Sequence, residues 1–124
     1  NVSALLKAGG VFAFSTPNGA GISARRNRSR FFSRNPEDHY TVWTPRAARR
    51  VLPSFGFGVI KITITGHHPE RFPWIGREEK GGVLFRLTGL ISRRLRLGDT
   101  FEVYAVKKRE NRNGNQRRDR SRYG

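Results

Sequence analysis

The chain has 124 residues, the length of one domain with a modest core. It carries 25 Lys and Arg against 9 Asp and Glu, so its formal net charge is +16. A field of this sign attracts polyanions, so nucleic acid is the first partner to consider and an anionic membrane surface the second. The absence of Cys excludes disulfide scaffolds, Cys-based zinc sites and thiol catalysis. No apolar run approaches the roughly 20 residues that a spanning helix requires.

The N-terminal third of the chain predicts a hairpin followed by a basic loop. The apolar stretch Val11–Thr16 is typical of a strand, and Asn18-Gly19 favours a tight turn. Residues 20–24 would then return as the second strand of an N-terminal β-hairpin. Residues 25–34, which contain five Arg, follow as a basic loop.

The middle of the chain predicts a short helix and the clearest strand. Thr44 suits an N-cap and Pro45 the first helical position, while Pro53 ends the helix. Val59–Thr65 is β-branched and nearly alternating, and Gly66 ends it. In this strand Val59 takes one register, and three residues take the other: Ile60, Ile62 and Ile64.

The C-terminal part predicts a helix, a strand and a basic tail. Residues 78–94 are ambiguous, because a helical apolar stripe is interrupted by glycines. Residues 95–99 favour a turn, 100–106 a final strand, and 107–124 a tail without an apolar pattern, expected to order only on a partner. The order of elements indicates an α/β fold. The stripe consists of Val83, Leu84, Leu87, Leu90 and Ile91. The predicted core consists of Val11, Phe12, Phe14, Ile60, Ile62, Ile64, Leu84, Leu87, Phe101 and Val103.

Two segments concentrate the positive charge: residues 25–34, with five cations, and 107–124, with eight. Arg binds phosphate bidentately and stacks on bases, while interspersed Ser and Asn add hydrogen bonds to sugar and phosphate. Exposed Phe31, Phe32 and Tyr123 would stack on unpaired bases. Neither segment is a basic amphipathic helix with the broad apolar face that membrane-surface binding requires. RNA is therefore favoured over DNA or a membrane.

The histidines and carboxylates predict neither a metal centre nor a catalytic site. His67 and His68 are adjacent, but His39 is remote and no Cys completes a ligand set. The acidic pairs Glu37-Asp38 and Glu78-Glu79 lie outside the predicted strands, where a metal-dependent nuclease holds its acids. No glycine-rich phosphate-loop motif is present. We therefore expect no cofactor, no metal and no catalysis.

The stretch Gly58–Arg71 resembles a signature of the universal small-subunit ribosomal protein eleven family. That family has a β-branched strand followed by a loop of the type Gly-x-Gly-Pro-Gly-Arg. Gly66, Pro69 and Arg71 match the loop, whereas His68 and the residue after Pro69 stand where the family has glycines. A second placement of the RNA-facing loop, at Gly76-Arg77-Glu78, remains open.

Three other stretches agree with this family in the same order. Val11–Thr16 with its Asn-Gly turn is similar to the family's opening hairpin, and Thr44–Ala48 looks like its Thr-Pro-x-Ala-Ala helix start. Asn113-Gly114, within an Arg-rich terminus, resembles the closing His-Asn-Gly-Cys-Arg-Pro segment, although the Cys and Pro are missing. The chain also departs from the family in a longer basic connection at 25–43 and in Pro53, which shortens the first helix.

The resemblance implies a mixed β-sheet flanked by helices, with a ribonuclease-H-like topology that lacks that enzyme's acids. It implies a structural constituent of the small ribosomal subunit that binds ribosomal RNA on the platform, near the messenger RNA exit region and beside neighbouring ribosomal proteins. Residues 1–106 would form one α/β RNA-binding domain and 107–124 a C-terminal extension. The departures, together with the lack of an initiator Met, favour a mitochondrial member, with another organellar ribosome or a cytoplasmic ribosome as the alternative. Neither a membrane nor a small-molecule substrate is expected.

The predicted RNA-binding residues come from the basic loop, the first helix, the loop after the central strand and the tail. They are Arg25, Arg26, Arg28, Arg30, Arg34, Arg46, Gly66, His67, His68, Arg71, Arg77, Lys107, Lys108, Arg109, Arg112, Asn113, Gly114, Arg117, Arg118, Arg120 and Arg122.

Two rival functions belong to other classes. A single-stranded nucleic-acid-binding β-barrel predicts five strands and no real helix. Its stacking platforms would be aromatic: Phe55, Phe57, Phe72 and Trp74. An RNA-processing enzyme predicts metal-dependent cleavage that depends on Asp99 or Glu102.

Overall fold

The protein is an α/β structure with one antiparallel sheet. The computed structural model describes residues 2–34, 41–76 and 81–109. The elements in chain order are α1 (Val2–Leu5), β1 (Val11–Pro17), α2 (Ile22–Arg26), α3 (Arg28–Arg34), α4 (Pro45–Val51), β2 (Phe57–Thr65), α5 (Val83–Arg94) and β3 (Thr100–Lys107), with 3₁₀ turns at Leu52–Phe55 and Pro69–Arg71. The predicted fold class, helices with a sheet, is confirmed at this level.

The three strands lie in the order β1-β3-β2, and both pairs are antiparallel. Val103 at the centre of β3 has Phe14 on one side and Ile62 on the other. The mixed sheet that we expected requires a pair of parallel strands, and the described strands contain none.

The predicted N-terminal hairpin is wrong. β1 pairs with β3, and residues 22–26 form α2 rather than a returning strand. The turn itself explains the difference, because the Asn18 side chain accepts a hydrogen bond from the Ala20 amide (3.0 Å) and the Gly21 amide donates to the Asn18 carbonyl. These bonds direct the chain into α2, and the alternating apolar face of β3 replaces the local partner of β1.

The expected basic loop at 25–34 is also wrong, because this segment belongs to two short helices. α2 ends at Arg26 and α3 begins at Arg28. Asn27 joins them: its amide donates to the Ser23 carbonyl, and its side-chain oxygen accepts from the Arg30 amide at 2.9 Å. The Asn side chain thus satisfies an amide in the first turn of α3.

The main core lies between α4 and one face of the sheet. The Thr44 hydroxyl accepts a hydrogen bond from the Ala47 amide (3.1 Å), and Pro45 is the first helical residue, as predicted. α4 buries Ala48, and the 3₁₀ turn that follows it buries Leu52, in the cluster that includes the sheet residues. Of the expected core, Ile62, Phe101 and Val103 are buried, while Phe12, Phe14 and Ile64 are partly buried and pack against this cluster.

Two β-strand residues expected in the core are exposed. A bulge in β2 between Val59 and Lys61 shifts the register, so Ile60 leaves the core side and is 65% exposed. Val59 packs against the core instead. Val11, the first residue of β1, is 56% exposed.

The helix over the ambiguous segment exists, but its expected apolar face points away from the protein body. Leu84 and Leu87 are 45% and 50% exposed, whereas Thr88 and Ser92 are buried. The two buried hydroxyls have partners: Trp74 Nε1 donates to Thr88 Oγ1 (3.0 Å), and Ser92 Oγ bonds His67 Nδ1 (2.8 Å). A small, hydrogen-bonded polar face lets the helix approach the body closely, so these contacts override the apolar pattern.

A second, smaller core supports α5 from below. It consists of buried Phe72, Ile75 and Leu97, with Ile22 and Phe85 packed against it. None of the helices in the described part of the chain is long and apolar enough to cross a membrane.

Candidate nucleic-acid interface

The candidate interface is built around one end of the sheet. Pro17 and Thr65, the last residues of β1 and β2, both pair with Thr100, the first residue of β3. The segments that leave or enter the strands there, residues 18–24, 66–71 and 97–99, are called the loop end below.

Asp99 joins the three segments of the loop end. Its side chain is buried, with 6% exposure. Oδ1 accepts from the Ser23 amide (2.8 Å), and Oδ2 accepts from Ser23 Oγ (2.8 Å) and Arg71 Nη1 (2.6 Å). Its backbone amide donates to the Gly66 carbonyl, and its carbonyl accepts from the Asn18 amide. The acid therefore has a structural role here, since its oxygens are used by the protein's own donors.

Two further features close the loop end. The buried Asn18 side chain donates to the Gly98 carbonyl at 2.8 Å. Gly66 has a φ of +62°, and a Cβ on it would lie 2.6 Å from Thr100 Oγ1. Packing against Thr100 therefore leaves no room for a side chain at position 66, so glycine is required there for the fold itself. Its proposed approach to RNA stays a prediction.

The predicted cations of α2 lie on this end. Arg25 and Arg26 are exposed in the last turn of the helix. Arg25 Nε donates to the Ala20 carbonyl (3.0 Å), and Arg26 Nη1 donates to the Arg71 carbonyl (2.9 Å). Carbonyl partners orient these guanidinium groups without neutralising them, which suits them to bind an anion.

The other predicted residues of the loop end form hydrogen bonds or ion pairs with side chains of the protein. Arg71 forms the ion pair with Asp99, and His67 bonds Ser92. His68 Nδ1 lies 3.0 Å from Glu70 Oε1. The largest cause that lowers the pKa of the Glu70 carboxyl is a hydrogen bond from its backbone amide. Burial opposes this effect, and the hydrogen bond and charge of His68 and the charge of Arg71 lower the pKa further.

Two other helices bring predicted cations to the surface. Arg46 is exposed near the start of α4, whose N-cap Thr44 would contact a Cβ on Gly19 of the loop end. On α3, Arg30 is exposed and the Arg28 guanidinium lies 5.3 Å from the centre of the Phe32 ring. The Phe31 and Phe32 rings are 5.5 Å apart, edge to face. α3 therefore combines charge with a partly exposed aromatic surface.

The basic residues at the end of β3 and directly after it lie at the opposite end of the sheet. Lys107 pairs with Gly9 and Gly10 through its backbone and donates its Nζ to the Ser3 carbonyl, and the Lys108 amide donates to the Gly56 carbonyl. The eight residues of β3 place them about 23 Å from the loop end, at about 3.3 Å per residue. The fold thus separates these cations from Arg25 and Arg26, with Lys108 and Arg109 exposed at the far end.

Several predicted positions lie outside the described residues. They include the side chain of Arg34, one alternative RNA-facing loop and the tail: Arg77, Arg112, Asn113, Gly114, Arg117, Arg118, Arg120 and Arg122.

Positive charge is largely uncompensated in the described part of the chain. The carboxylates there are Glu70, Asp99 and Glu102. Their ion pairs are His68–Glu70 and Arg71–Asp99. The other Lys and Arg side chains described have none of these three carboxylates within ion-pairing distance, so the described surface attracts polyanions.

Among the described residues, no group of three His, Asp or Glu side chains is placed to hold a metal ion. The aromatic residues that a β-barrel would use for stacking are divided: Phe57 and Phe72 are buried in the cores, while Phe55 and Trp74 are more than half exposed. The described fold, with five α-helices and three strands, differs from the five-stranded barrel of that rival.

Sequence reasoning missed one basic feature, the pair Arg93 and Arg96. Both line an open cleft of about 480 Å³ beside β2, together with His67. The pattern predicted only a helix end and a turn here, and the strand that completes the cleft lies some 30 residues earlier in the chain. No local signal connects them.

A scan against protein-family models finds no match for the chain. A search of curated proteins finds no significant similarity.

Proposed function

We propose that this protein is a structural constituent of the small ribosomal subunit, binding ribosomal RNA on the platform near the messenger RNA exit region. The observation that supports this most strongly is the loop end. There Arg25 and Arg26 are exposed and oriented by carbonyl oxygens, while the buried acid Asp99 is already paired with Arg71. The resemblance of Gly58–Arg71 to the ribosomal family supplies the particular RNA.

Binding would proceed by charge neutralisation on a surface that is already arranged. Each phosphate contacted by an Arg releases condensed counterions, which gives affinity that falls with salt. The Asp99 hydrogen bonds hold three loops in place before RNA arrives, so little ordering entropy is lost at this end. The role is to position RNA, not to turn it over.

The finer parts of the proposal concern topology, tail and compartment. The antiparallel β1-β3-β2 sheet would be part of a ribonuclease-H-like arrangement, and residues 107–124 would order on RNA. Neighbouring ribosomal proteins would complete the site, and the ribosome would be mitochondrial or of another organelle.

The test compares RNA binding by the full chain and three variants. A fragment of small-subunit platform RNA and an unrelated RNA of equal length are titrated at several salt concentrations. We expect the double variant Arg25→Gln, Arg26→Gln to lower the slope of log affinity against log salt by up to about 2. A truncation that removes residues 110–124 should lower it further, since five Arg are lost.

The matched control is Arg49→Gln with Arg50→Gln, two exposed cations on α4 outside the proposed site. The slope of log affinity against log salt for this variant should stay closer to that of the wild type than the slope of the Arg25, Arg26 variant does. Equal slopes for all four proteins, or no preference for platform RNA, would contradict the proposal. Co-sedimentation of the protein with small subunits then identifies the compartment.

A further inference from the structure

The strongest unassigned feature is the cleft between the outer edge of β2 and the C-terminal turn of α5. It is lined by residues 62–65 of β2, His67, Arg93 and Arg96. β2 is an edge strand, paired on one side with β3. The cleft is therefore open to solvent along a strand edge, with two guanidinium groups beside it.

The polar groups of this cleft are only partly used by the protein. Arg93 and Arg96 have no ion pair in the described structure, and Arg96 Nη2 lies 3.5 Å from the Ile62 carbonyl, the far limit of a hydrogen bond. His67 uses Nδ1 for Ser92, which leaves Nε2 available. The nearest acid in register, Glu102, lies opposite Thr63 and accepts a hydrogen bond from the Tyr104 hydroxyl. Two cations thus outweigh one engaged carboxylate.

The backbone conformation of Arg96 shows how the chain turns at the end of α5, beside the cleft. Its φ is +57°, the left-handed conformation that glycine adopts freely and that a side chain makes unfavourable. Arg96 is the described non-glycine residue with a positive φ. The Arg96 amide donates to the Arg93 carbonyl and the Leu97 amide donates to the Ser92 carbonyl, so this left-handed residue closes the C-terminus of α5. The Arg96 side chain lines the cleft from that position.

We propose that this cleft binds a phosphate group of the RNA backbone, with Arg93 and Arg96 as its donors. The inference rests on the proposed function and adds a contact outside the residues assigned above. Guanidinium groups match phosphate oxygens geometrically, and His67 supplies a further ring nitrogen. An extended acidic peptide fits less well, because the β2 bulge and the Arg96 side chain interrupt the edge on which it would pair.

The decisive variant is Arg96→Gly, because its two effects have opposite directions. Glycine relieves the positive φ, so Tm should rise by about 3 °C. The same change removes a phosphate donor, so RNA affinity should fall about 5-fold and the salt slope by about 1. A merely structural Arg96 would raise stability without altering RNA binding. Arg93→Gln should give the same binding loss without the gain in Tm.

The matched control is Arg86→Gln, which removes an exposed charge from the same helix but not from the cleft. Its affinity should fall less than 2-fold. If the wild type binds platform RNA and both cleft variants bind equally well, the cleft inference is overturned while the proposed function stands.

A second measurement separates the two proposals. Inorganic phosphate is titrated into the full chain, and the amide resonances of residues 62–67 and 93–96 are followed by NMR. Saturable shifts that disappear in Arg96→Gly support the cleft even if platform RNA is not bound, in which case the proposed function alone fails. If phosphate causes no saturable shift of these resonances, or if only a polyglutamate peptide shifts them, the proposal that the cleft binds phosphate is overturned.

Discussion

Arg71 and Asp99 form an ion pair of 2.6 Å in which the two partners experience different environments. The Asp99 side chain is 6% exposed and that of Arg71 is 44% exposed. The acid is held inside by Ser23 and by backbone bonds, and it fixes the position of a cation at the surface. One buried carboxylate thus connects the packing of the loop end with its positive charge.

Asp99→Asn should destabilise the protein by about 2 kcal/mol, because the Arg71 and Ser23 donors lose a charged acceptor in a buried place. The half-exposed guanidinium can regain water, which limits the loss below that of a fully buried pair. Urea unfolding of the full chain measures it. Glu102→Gln is the control, expected within about 0.5 kcal/mol of wild type. Equal effects of the two changes would contradict the structural role of Asp99.

The inverted orientation of α5 predicts a difference between two large apolar residues. Phe101 is fully buried, so Phe101→Ala should cost about 3–5 kcal/mol. Leu87 is half exposed, so Leu87→Ala should change stability by only about 0.5 kcal/mol. The same unfolding experiment compares them. A loss of several kcal/mol for Leu87→Ala would show that the apolar face of α5 is buried.

Two glycine substitutions should act in opposite directions. A Cβ on Gly98 would overlap the Thr65 carbonyl oxygen, so Gly98→Ala must displace backbone and should cost more than 2 kcal/mol, an order-of-magnitude figure for a strained site. Gly89 lies inside α5 with only an ordinary contact to Pro69 at 3.5 Å. Gly89→Ala should therefore stabilise the helix by up to about 1 kcal/mol. Thermal unfolding monitored by circular dichroism checks both signs.

The lowered pKa of Glu70 predicts a pH-dependent contribution. A carboxyl whose pKa is lower in the folded chain stabilises the fold above its ordinary pKa, and the contribution is lost as pH falls through the lowered value. The Tm of wild type should therefore exceed that of Glu70→Gln at neutral pH, and the difference should vanish in acid. If the difference in Tm between the two proteins stayed constant down to low pH, it would not come from the ionised Glu70 carboxylate.

The elements that could be predicted depend on neighbours in the sequence. Thr44 and Pro45 start α4 through a local cap, and the β-branched run of β2 needs only its own residues to favour a strand. The basic surface, too, follows from composition, since so few carboxylates are available to pair with the cations. These features rest on interactions within a few residues or on total charge.

The failures involve partners that are distant in the sequence. The hairpin prediction failed because β3, more than 80 residues later, pairs with β1. Leu84 and Leu87 were expected in the core because they lie on the apolar face of a helical pattern. Such a pattern shows that the helix has two different faces, but it does not show which face another part of the protein covers. In this structure the polar face is covered, because His67 and Trp74 form hydrogen bonds with the hydroxyl groups on that face of α5.

The charge of +16 and the residues that start and end α4 were thus readable from the chain alone. The tertiary structure decided where that charge lies: at the loop end, at the far end of β3, and in a cleft beside β2. The reason is that Asp99 and the sheet bring together segments that are far apart in the chain, and the sequence of one segment does not indicate that it will contact the others. Packing and buried hydrogen bonds are set by three-dimensional neighbours, and a local pattern records only one side of each contact.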